Sequence, residues 1–271
     1  MKYKLIALDL DGTLKNSKNA ITQKTKDALI QAQKLGVKIV LASGRPTPGL
    51  RHEAQELELE KYGGFLLSFN GASIIHAKTK EVIYEQTLTI DQAKRAYDRA
   101  KEYHLACITY EDDVLVTEDI DDVYVCAEAQ INDVDKKKVS FKENLKDPIY
   151  KVLLTGDPEY VASIEEEFKK PFQDELSIYR SAPFFIEVMA QGIDKAASID
   201  RLAKYLGIKQ EEVMAFGDGY NDLSMIEYAG LGVAMANAVD GVKERANVVT
   251  LSNDEDGIAY MLSKYIEGVE F

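Results

Sequence analysis

Short apolar runs alternate with helical patterns over the first third of the chain. Residues 5–8 read Leu-Ile-Ala-Leu, and residues 37–42 and 65–69 are further apolar runs of strand length. An unbroken apolar run of this length is typical of a strand that is buried on both faces of a parallel sheet. Apolar residues recur at helical spacing from Ala28 to Leu35, between the first two runs. This alternation predicts a parallel sheet with right-handed crossover helices.

The pattern changes after residue 84 and returns near the end of the chain. The middle of the sequence combines short strand-like runs with amphipathic helices, which predicts an α+β module with an antiparallel sheet. No helix or strand is predicted for the acidic and lysine-rich stretch of residues 118–149. The predicted strands are 73–75, 81–84, 105–110, 114–117, 150–154, 176–180, 184–189, 213–216 and 231–234, and the predicted helices are 91–103, 158–168, 194–206, 222–229, 239–245 and a last one from Asp254, with a further helix opening at Pro46 or Pro48.

These elements predict an α/β fold, with a Rossmann-like parallel-sheet core and an inserted α+β domain. The core is expected to combine residues 1–84 with residues 189–271, and the insertion to cover residues 85–188. The connections at 84–87 and 186–192 are the expected hinges, with Gly192 as a flexible point.

Composition narrows the class of protein. The 271 residues include 33 Lys and Arg against 46 Asp and Glu, which gives a formal net charge of −13, and 46% are hydrophobic. This composition predicts a compact globular protein and argues against a nucleic-acid or anionic-membrane surface, which needs clustered basic residues. With two cysteines, no run of about 18 to 20 apolar residues and no secretory signal pattern, the sequence predicts a cytoplasmic protein.

Acidic residues follow two of the predicted parallel strands. Asp9 and Asp11 come directly after residues 5–8, and Asp218 and Asp222 follow the strand at 213–216. Two carboxylates about 4 Å apart repel by about 4 kcal/mol at an effective dielectric constant near 20, so a cation or proton is needed to hold them together. Oxygen ligands without nearby His or Cys suit a hard ion, and Mg²⁺ above all. Open α/β sheets bind ligands at the carboxyl ends of their parallel strands, which is where these acids are expected.

Two further segments are candidate phosphate binders. Ser43 and Gly44 end the second predicted strand and offer a hydroxyl and backbone N–H groups. Lys195 follows Asp194, a candidate helix cap, so that its ammonium group would lie at a positive helix end. Donors and a cation facing paired acids would bind a phosphoryl group that a metal ion bridges.

Each signal also has an ordinary structural explanation. Asp-Gly and Gly-Asp sequences favour turns, Ser43 could cap a helix and Lys195 could be a solvated side chain. Four such coincidences at strand ends of one sheet are far less expected than any one of them. No Walker-type phosphate loop or dinucleotide fingerprint is present in the sequence.

The motifs resemble those of a known superfamily. Asp-Leu-Asp-Gly-Thr at 9–13, Ser43, Lys195 and Gly-Asp-Gly-Tyr-Asn-Asp at 217–222 occur in the order and spacing of the four motifs of the haloacid dehalogenase superfamily. The long insertion resembles that of its Cof-type, sugar-phosphatase-like branch, which carries an α/β cap. One departure is Asp194-Lys195-Ala196, where the branch usually has a small or polar residue followed by Lys-Gly.

The resemblance implies roles for individual residues. Asp9 would be the nucleophile that forms an aspartyl-phosphate, and Asp11 would be the general acid and then the general base. Mg²⁺ would be held by the Asp9 side chain, the Asp11 carbonyl and Asp218, with Asp222 in support. The implied phosphate-binding residues are Leu10, Ser43, Gly44, Lys195 and Asn221.

The implied activity is hydrolysis of phosphate monoesters of small metabolites, with sugar phosphates first and pyridoxal phosphate or flavin mononucleotide as other options. A small phosphorylated metabolite is then the expected partner, and the sequence leaves the oligomeric state open. A phosphomutase or phosphotransferase on the same scaffold remains an alternative, since it would pass the phosphoryl group to a second hydroxyl. A phospho-acceptor switch without enzymatic turnover is a third interpretation.

Overall fold

The computed structural model describes residues 2–271, which divide into two compact units. The first unit contains the chain up to Gly44, Leu50–Glu85 and Asp194–Phe271, and the second contains Arg45–Gly49 and Gln86–Ile193. None of the helices among residues 2–271 has both the length and the apolar character that a bilayer span requires.

The helices and strands follow one another in three stretches of chain. Up to residue 85 they are β1 (Leu5–Leu8), α1 (Gln23–Lys34), β2 (Lys38–Ala42), α2 (Arg51–Glu56), α3 (Leu59–Tyr62), β3 (Phe65–Ser68), β4 (Ser73–His76) and β5 (Val82–Glu85). In the second unit they are α4 (Ile90–Glu102), β6 (Ala106–Glu111), β7 (Val114–Thr117), α5 (Val123–Asn132), β8 (Asp135–Lys138), β9 (Lys151–Thr155), α6 (Pro158–Lys169), β10 (Leu176–Ala182) and β11 (Phe185–Ala190). The last stretch contains α7 (Lys195–Leu206), β12 (Val213–Gly217), α8 (Leu223–Tyr228), β13 (Leu231–Ala234), α9 (Asp240–Lys243), β14 (Val248–Val249) and α10 (Gly257–Tyr265).

The first unit is built on one sheet of eight strands in the order β14-β13-β12-β1-β2-β3-β4-β5. Strands β14 to β3 in this order are parallel, whereas β4 and β5 are antiparallel additions. The strand β1 lies in the middle, with Leu5 opposite both Val213 of β12 and Lys38 of β2. The first and last parts of the chain therefore share one sheet, as the alternation of elements predicts.

Helices cover both faces of this sheet. Ile6 and Leu8 belong to the hydrophobic core on one face, with residues of α1 and α10. Leu5 and Ala7 belong to the core on the other face, with residues of α7 and α8. Successive strand residues point to opposite faces, so an unbroken apolar run is what burial on both faces requires.

The second unit contains a six-stranded sheet in the order β10-β11-β9-β6-β7-β8. One face packs its apolar side chains, such as Val152 and Val188, against α4 and α6. The alternate positions Lys151 and Glu187 are also buried, at 3% and 5% exposure. The Lys151 ammonium lies 3.4 Å from Glu187 Oε1 and 3.9 Å from Oε1 of Glu128 on α5. Burial would lower the pKa of Lys151, but the charges of Glu187 and Glu128 outweigh it and raise that pKa.

Two elements of the second unit, α5 and β8, were not predicted from the sequence. Helix α5 begins after Asp122, whose side chain accepts hydrogen bonds from the backbone N–H groups of Tyr124 and Val125. Strand β8 reads Asp-Lys-Lys-Lys, a composition that strands usually avoid, and it lies at the edge of the sheet. Lysines are favoured on edge strands, because their charges oppose pairing with another chain. Strand β8 is parallel to β7, so the expectation of a wholly antiparallel sheet is wrong at this edge.

The predicted boundaries differ from the structure in several other places. The predicted last helix starts at Asp254, but residues 253–255 form a 3₁₀ turn and α10 begins only at Gly257. The predicted end of the insertion at residue 188 falls inside β11, which continues to Ala190. The segment Arg45–Gly49 groups with the second unit, where the Arg45 guanidinium donates to the carbonyl oxygen of Ile131 at 2.9 Å.

The cap of α5 gives a test of the second unit. Asp122→Ala removes the acceptor for two N–H groups of the first turn and is expected to lower the free energy of unfolding by about 1 kcal/mol. Amide hydrogen exchange across Val123–Asn132 and urea unfolding would measure the effect. Asp121→Ala is the matched control, since no cap bond to its side chain is found among residues 2–271. Equal effects of the two substitutions would contradict the assignment.

Candidate active site

Polar residues follow three neighbouring strands at the carboxyl edge of the first unit's sheet. Asp9 follows β1, Ser43 follows β2 and Asp218 follows β12. The backbone N–H of Asp9 donates to the carbonyl oxygen of Phe216 at 3.1 Å, which continues the strand pairing up to the candidate nucleophile. The site therefore begins where the rigid part of the sheet ends.

A buried lysine joins two of the predicted acids. The Lys195 ammonium donates to Asp9 Oδ1 at 2.8 Å and to Asp222 Oδ1 at 2.6 Å. Lys195 and Asp222 are 1% exposed and Asp9 is 6% exposed. The interpretation of Lys195 as a solvated side chain is wrong, since its charge is buried between two carboxylates.

The start of α7 positions this lysine. Asp194 has an extended backbone, and its carboxylate Oδ1 accepts a hydrogen bond from the N–H of Ala197 at 2.9 Å. This confirms the prediction that Asp194 caps the helix. Lys195 is then the first helical residue, so its cation lies at the end of the helix where the backbone dipole is positive. The two carboxylates offset this unfavourable placement.

Asp222 has hydrogen-bond donors on both of its carboxylate oxygens. Oδ1 accepts from Lys195, and Oδ2 accepts from the N–H groups of Asp218 and Gly219, each at 3.0 Å. A Cβ atom on Gly217 would lie 2.4 Å from the Cβ of Asp222, so the close approach of this turn requires glycine. These bonds hold the Asp222 carboxylate between Lys195 and the turn at Asp218.

Two residues of the loop that follows β1 lie against the Asp218 carboxylate. The hydroxyl of Thr13 donates to Asp218 Oδ1 at 2.7 Å. Gly12 has φ +83°, and a Cβ atom there would lie 2.3 Å from Asp218 Oδ2. Gly12 and Thr13 belong to the Asp-Leu-Asp-Gly-Thr motif, but no role for them was predicted from the sequence. Their contacts with a residue more than two hundred positions away have no local signature.

Burial and neighbouring charges raise the pKa values of Asp9 and Asp218. Burial, together with the charge of Asp222, raises the pKa of Asp9 to about 8, although Lys195 opposes this. Burial and the same neighbouring charge raise the pKa of Asp218 to about 6, against the hydrogen bond from Thr13. Burial alone would lower the pKa of Lys195, but the charges of Asp222 and Asp9 outweigh it and raise that pKa.

The donor set fits a hard divalent cation. Asp9, Asp218 and Asp222 each offer a carboxylate oxygen, and these atoms lie within 4.8 Å of one another. The Lys195 ammonium pairs with Asp9 and Asp222, and one positive charge beside three carboxylates leaves negative charge in excess. Oxygen-only ligands of this kind suit Mg²⁺ better than the softer transition metals.

The remaining predicted site residues lie in loops at the same edge of the sheet. Leu10 is fully buried, Ser43 is 3% exposed at the end of β2, and Gly44 follows it. Asp11 is exposed in the loop after β1. Asn221 is exposed in the 3₁₀ turn Tyr220–Asp222. Their phosphate-binding and acid–base roles remain predictions.

Comparisons with known proteins decide the family. The sequence model of the haloacid dehalogenase-like hydrolases matches residues 6–262. The chain belongs to this family.

Two curated relatives and one solved structure match this chain over nearly their whole length. The candidate phosphatase YxeH of Bacillus subtilis (strain 168) is 37% identical, with 97% of this chain and 98% of that protein covered. A 5-amino-6-(5-phospho-D-ribitylamino)uracil phosphatase of the same organism, YitU, is 31% identical, with 96% and 97% covered. The crystal structure of a haloacid dehalogenase-like hydrolase from Bacteroides thetaiotaomicron superimposes with a TM-score of 0.94 at 44% identity, with 97% of this chain and 99% of that chain covered.

These findings confirm the resemblance inferred from the four motifs. They also confirm the fold class, a parallel-sheet core with an inserted α+β cap domain. As a haloacid dehalogenase-like hydrolase, the protein is an enzyme of the phosphatase type.

The buried lysine gives a test of the site without any substrate. Lys195→Met removes the ammonium group and leaves Asp9 and Asp222 buried without it. The expected result is a loss of about 3 to 5 kcal/mol in the free energy of unfolding. Lys204→Met is the matched control, because Lys204 lies on the same helix with its side chain 75% exposed. Urea unfolding of both variants would measure the difference, and equal stabilities would show that the ion pairs do not hold the site.

Proposed function

We propose that this enzyme hydrolyses phosphate monoesters of small metabolites through an aspartyl-phosphate on Asp9. The observation that carries the proposal is the Asp9 carboxylate, which lies buried at the end of β1 and is fixed by the Lys195 ammonium at 2.8 Å. A buried, oriented carboxylate beside a cation is placed for nucleophilic attack on an anionic phosphoryl group, because the cation offsets the repulsion between them.

The reaction has two steps in this proposal. An Asp9 oxygen attacks phosphorus in line, the bond between phosphorus and the ester oxygen breaks, and Asp11 donates its proton to that oxygen. Water then attacks the phosphoryl group, its proton goes to Asp11, and the bond between phosphorus and Asp9 breaks. Inorganic phosphate leaves and Asp11 is again protonated. One side chain can serve both steps, because the second reverses the proton transfer of the first.

The phosphoryl oxygens are assigned to donors at the same sheet edge. The Lys195 ammonium, the Ser43 hydroxyl, the Asn221 amide and the backbone N–H groups of Leu10 and Gly44 would bind them. Fixed donors of this kind stabilise the charge that develops on the equatorial oxygens, and phosphoryl transfer depends mainly on such positioning.

A magnesium ion fits the acidic residues. Asp9, the Asp11 carbonyl and Asp218 would hold it, and Asp222 would support the arrangement through its hydrogen bonds. When bound, the ion would neutralise phosphoryl charge and the repulsion among the carboxylates. The excess of negative charge among Asp9, Asp218 and Asp222 supports this assignment.

Sugar phosphates and related polyol phosphates are the substrates we propose first. The name of the relative YitU includes a phospho-ribityl group, which supports a phosphorylated polyol chain. Pyridoxal phosphate and flavin mononucleotide belong in the same screen, since each presents one phosphate ester. We assign residues 86–193 the role of a cap over the reaction, because a lid that excludes water protects the first transfer.

Asp9→Asn tests the nucleophile. The amide cannot attack phosphorus, so phosphate release is expected to fall by at least about 10³-fold, with the fold intact. Phosphate release from a panel of sugar phosphates with Mg²⁺ would measure this. Asp27→Asn, an exposed change on α1, is the control. Full activity of Asp9→Asn would exclude the aspartyl-phosphate.

Removal of divalent metal tests the ion. A chelator is expected to abolish phosphate release reversibly, and Mg²⁺ to restore it, because the carboxylates and the phosphate then lack their shared cation. Asp218→Asn should raise the Mg²⁺ concentration that gives half-maximal activity. Undiminished turnover after exhaustive chelation would contradict the assignment.

Added acceptor sugars distinguish hydrolysis from transfer, since a phosphotransferase would yield a new sugar phosphate in place of free phosphate.

A further inference from the structure

A second buried ion pair lies in the first unit, and the proposed reaction does not use it. The Lys15 ammonium is 2.8 Å from Glu53 Oε1, and the two side chains are only 7% and 5% exposed. Lys15 lies in the loop after β1, four residues beyond Asp11, and Glu53 lies on α2. The pair therefore connects the loop of the acid–base residue to a helix of the same unit.

The backbone of Lys15 pairs with earlier residues of the same loop after β1. Asp11 and Lys15 form an isolated β-bridge. The N–H of Lys15 donates to the carbonyl oxygen of Leu10 at 2.9 Å, and the N–H of Leu14 donates to that of Asp9 at 3.2 Å. The loop therefore folds back on itself, and backbone pairing holds Lys15 beside Asp11.

Two asparagines hold the other side of this loop. Asn253 donates from its side-chain amide to the carbonyl oxygen of Lys15 at 2.8 Å, and Asn237 donates to that of Gly12 at 2.7 Å. The two asparagines are joined to each other, since the N–H of Asn253 donates to Asn237 Oδ1 at 3.0 Å. These bonds fix the backbone of the loop. Among the ion pairs of residues 2–271, the Lys15 ammonium is held by Glu53 alone.

A buried ion pair is weak evidence for stability, because the desolvation of two charges offsets most of their attraction. An ion pair differs from an apolar contact because it fixes a position: the buried ammonium group is stabilised only where it meets the carboxylate. Apolar side chains of similar volume would fill the space without fixing the loop to one position. The pair is therefore suited to hold one geometry of residues 11–15.

We propose that Glu53 and Lys15 are positioning residues that hold Asp11 where it protonates the leaving group. The inference rests on the proposed function, in which Asp11 is the general acid. Neither residue is assigned a contact with the substrate or the reacting atoms.

Leaving groups of different basicity test this role. The leaving group of para-nitrophenyl phosphate departs without a proton, whereas the alkoxide of a hexose phosphate needs one. The kcat/KM values cover the reaction up to the first irreversible step, so the ratio of hexose to aryl kcat/KM measures acid assistance. A positioned general acid contributes about 10²- to 10⁴-fold, and we expect Glu53→Gln to lower the ratio by at least about 10-fold.

The same helix offers a matched control. Glu56 is three residues further along α2 and lies 3.7 Å from Lys26, with both side chains partly exposed. Glu56→Gln should leave the ratio at its wild-type value. A folded Glu53→Gln variant with a wild-type ratio would overturn the proposal, as would an equal fall in both Gln variants.

A double variant covers the case in which Glu53→Gln does not fold. Lys15→Met with Glu53→Leu removes both charges together, so no buried charge is left alone and thermal stability is expected near that of the wild type. The ratio of hexose to aryl kcat/KM should still be lowered, because two apolar side chains do not fix the loop in one position. A stable double variant with a wild-type ratio would show a merely structural role and would overturn the proposal.

Asp11→Asn separates this inference from the proposed function. If the ratio falls in Asp11→Asn but not in the Glu53 and double variants, the inference fails and the general acid stands. If the ratio is unchanged in Asp11→Asn, the assignment of the acid fails and the inference fails with it. A ratio that falls in all three variants, and most in Asp11→Asn, supports both.

Discussion

The arrangement of the site depends on one ammonium group buried between two carboxylates. Lys195 is 2.8 Å from Asp9 and 2.6 Å from Asp222, and all three side chains are almost fully buried. Isolated buried charges are costly, and their mutual attraction offsets that cost only when the geometry is good and the remaining hydrogen bonds are made. Asp222 meets this condition with donors on both oxygens. Asp9 receives the Lys195 ammonium on Oδ1, at the end of a strand whose position the sheet fixes.

The same ion pairs connect distant parts of the chain. Asp9 is near the start, whereas Lys195 and Asp222 follow the long insertion. The sheet brings β1 and β12 side by side, and α7 packs on the face that holds Leu5 and Ala7. Packing of the apolar core therefore sets the distances between Asp9, Lys195 and Asp222. A site built on strands and a helix in this way holds its groups more rigidly than one built on loops alone.

One positive charge does not neutralise three carboxylates. Burial raises the pKa values of Asp9 and Asp218, and the charge of the neighbouring Asp222 raises them further. A protein with a net charge of −13 also repels phosphate esters at long range, so binding of an anion needs local compensation. A divalent cation held by these carboxylates would meet both requirements together with the helix end that carries Lys195. The loop after β1 has its own anchors in Glu53, Asn237 and Asn253.

Local patterns in the sequence were sufficient for the family and for the strands of the first unit's sheet other than β14, a two-residue edge strand that was not predicted. The run at residues 5–8, the cap at Asp194 and the motif at 9–13 each express a preference that a few neighbouring residues determine by themselves. Strand β8 and helix α5 were missed because pairing at a sheet edge and tertiary packing outweigh local propensity there. Only the tertiary structure decided that Lys195 is buried between Asp9 and Asp222, that Thr13 bonds Asp218, and that Asn221 is exposed. Distances between remote residues depend on strand register and helix packing, which no short stretch of sequence contains.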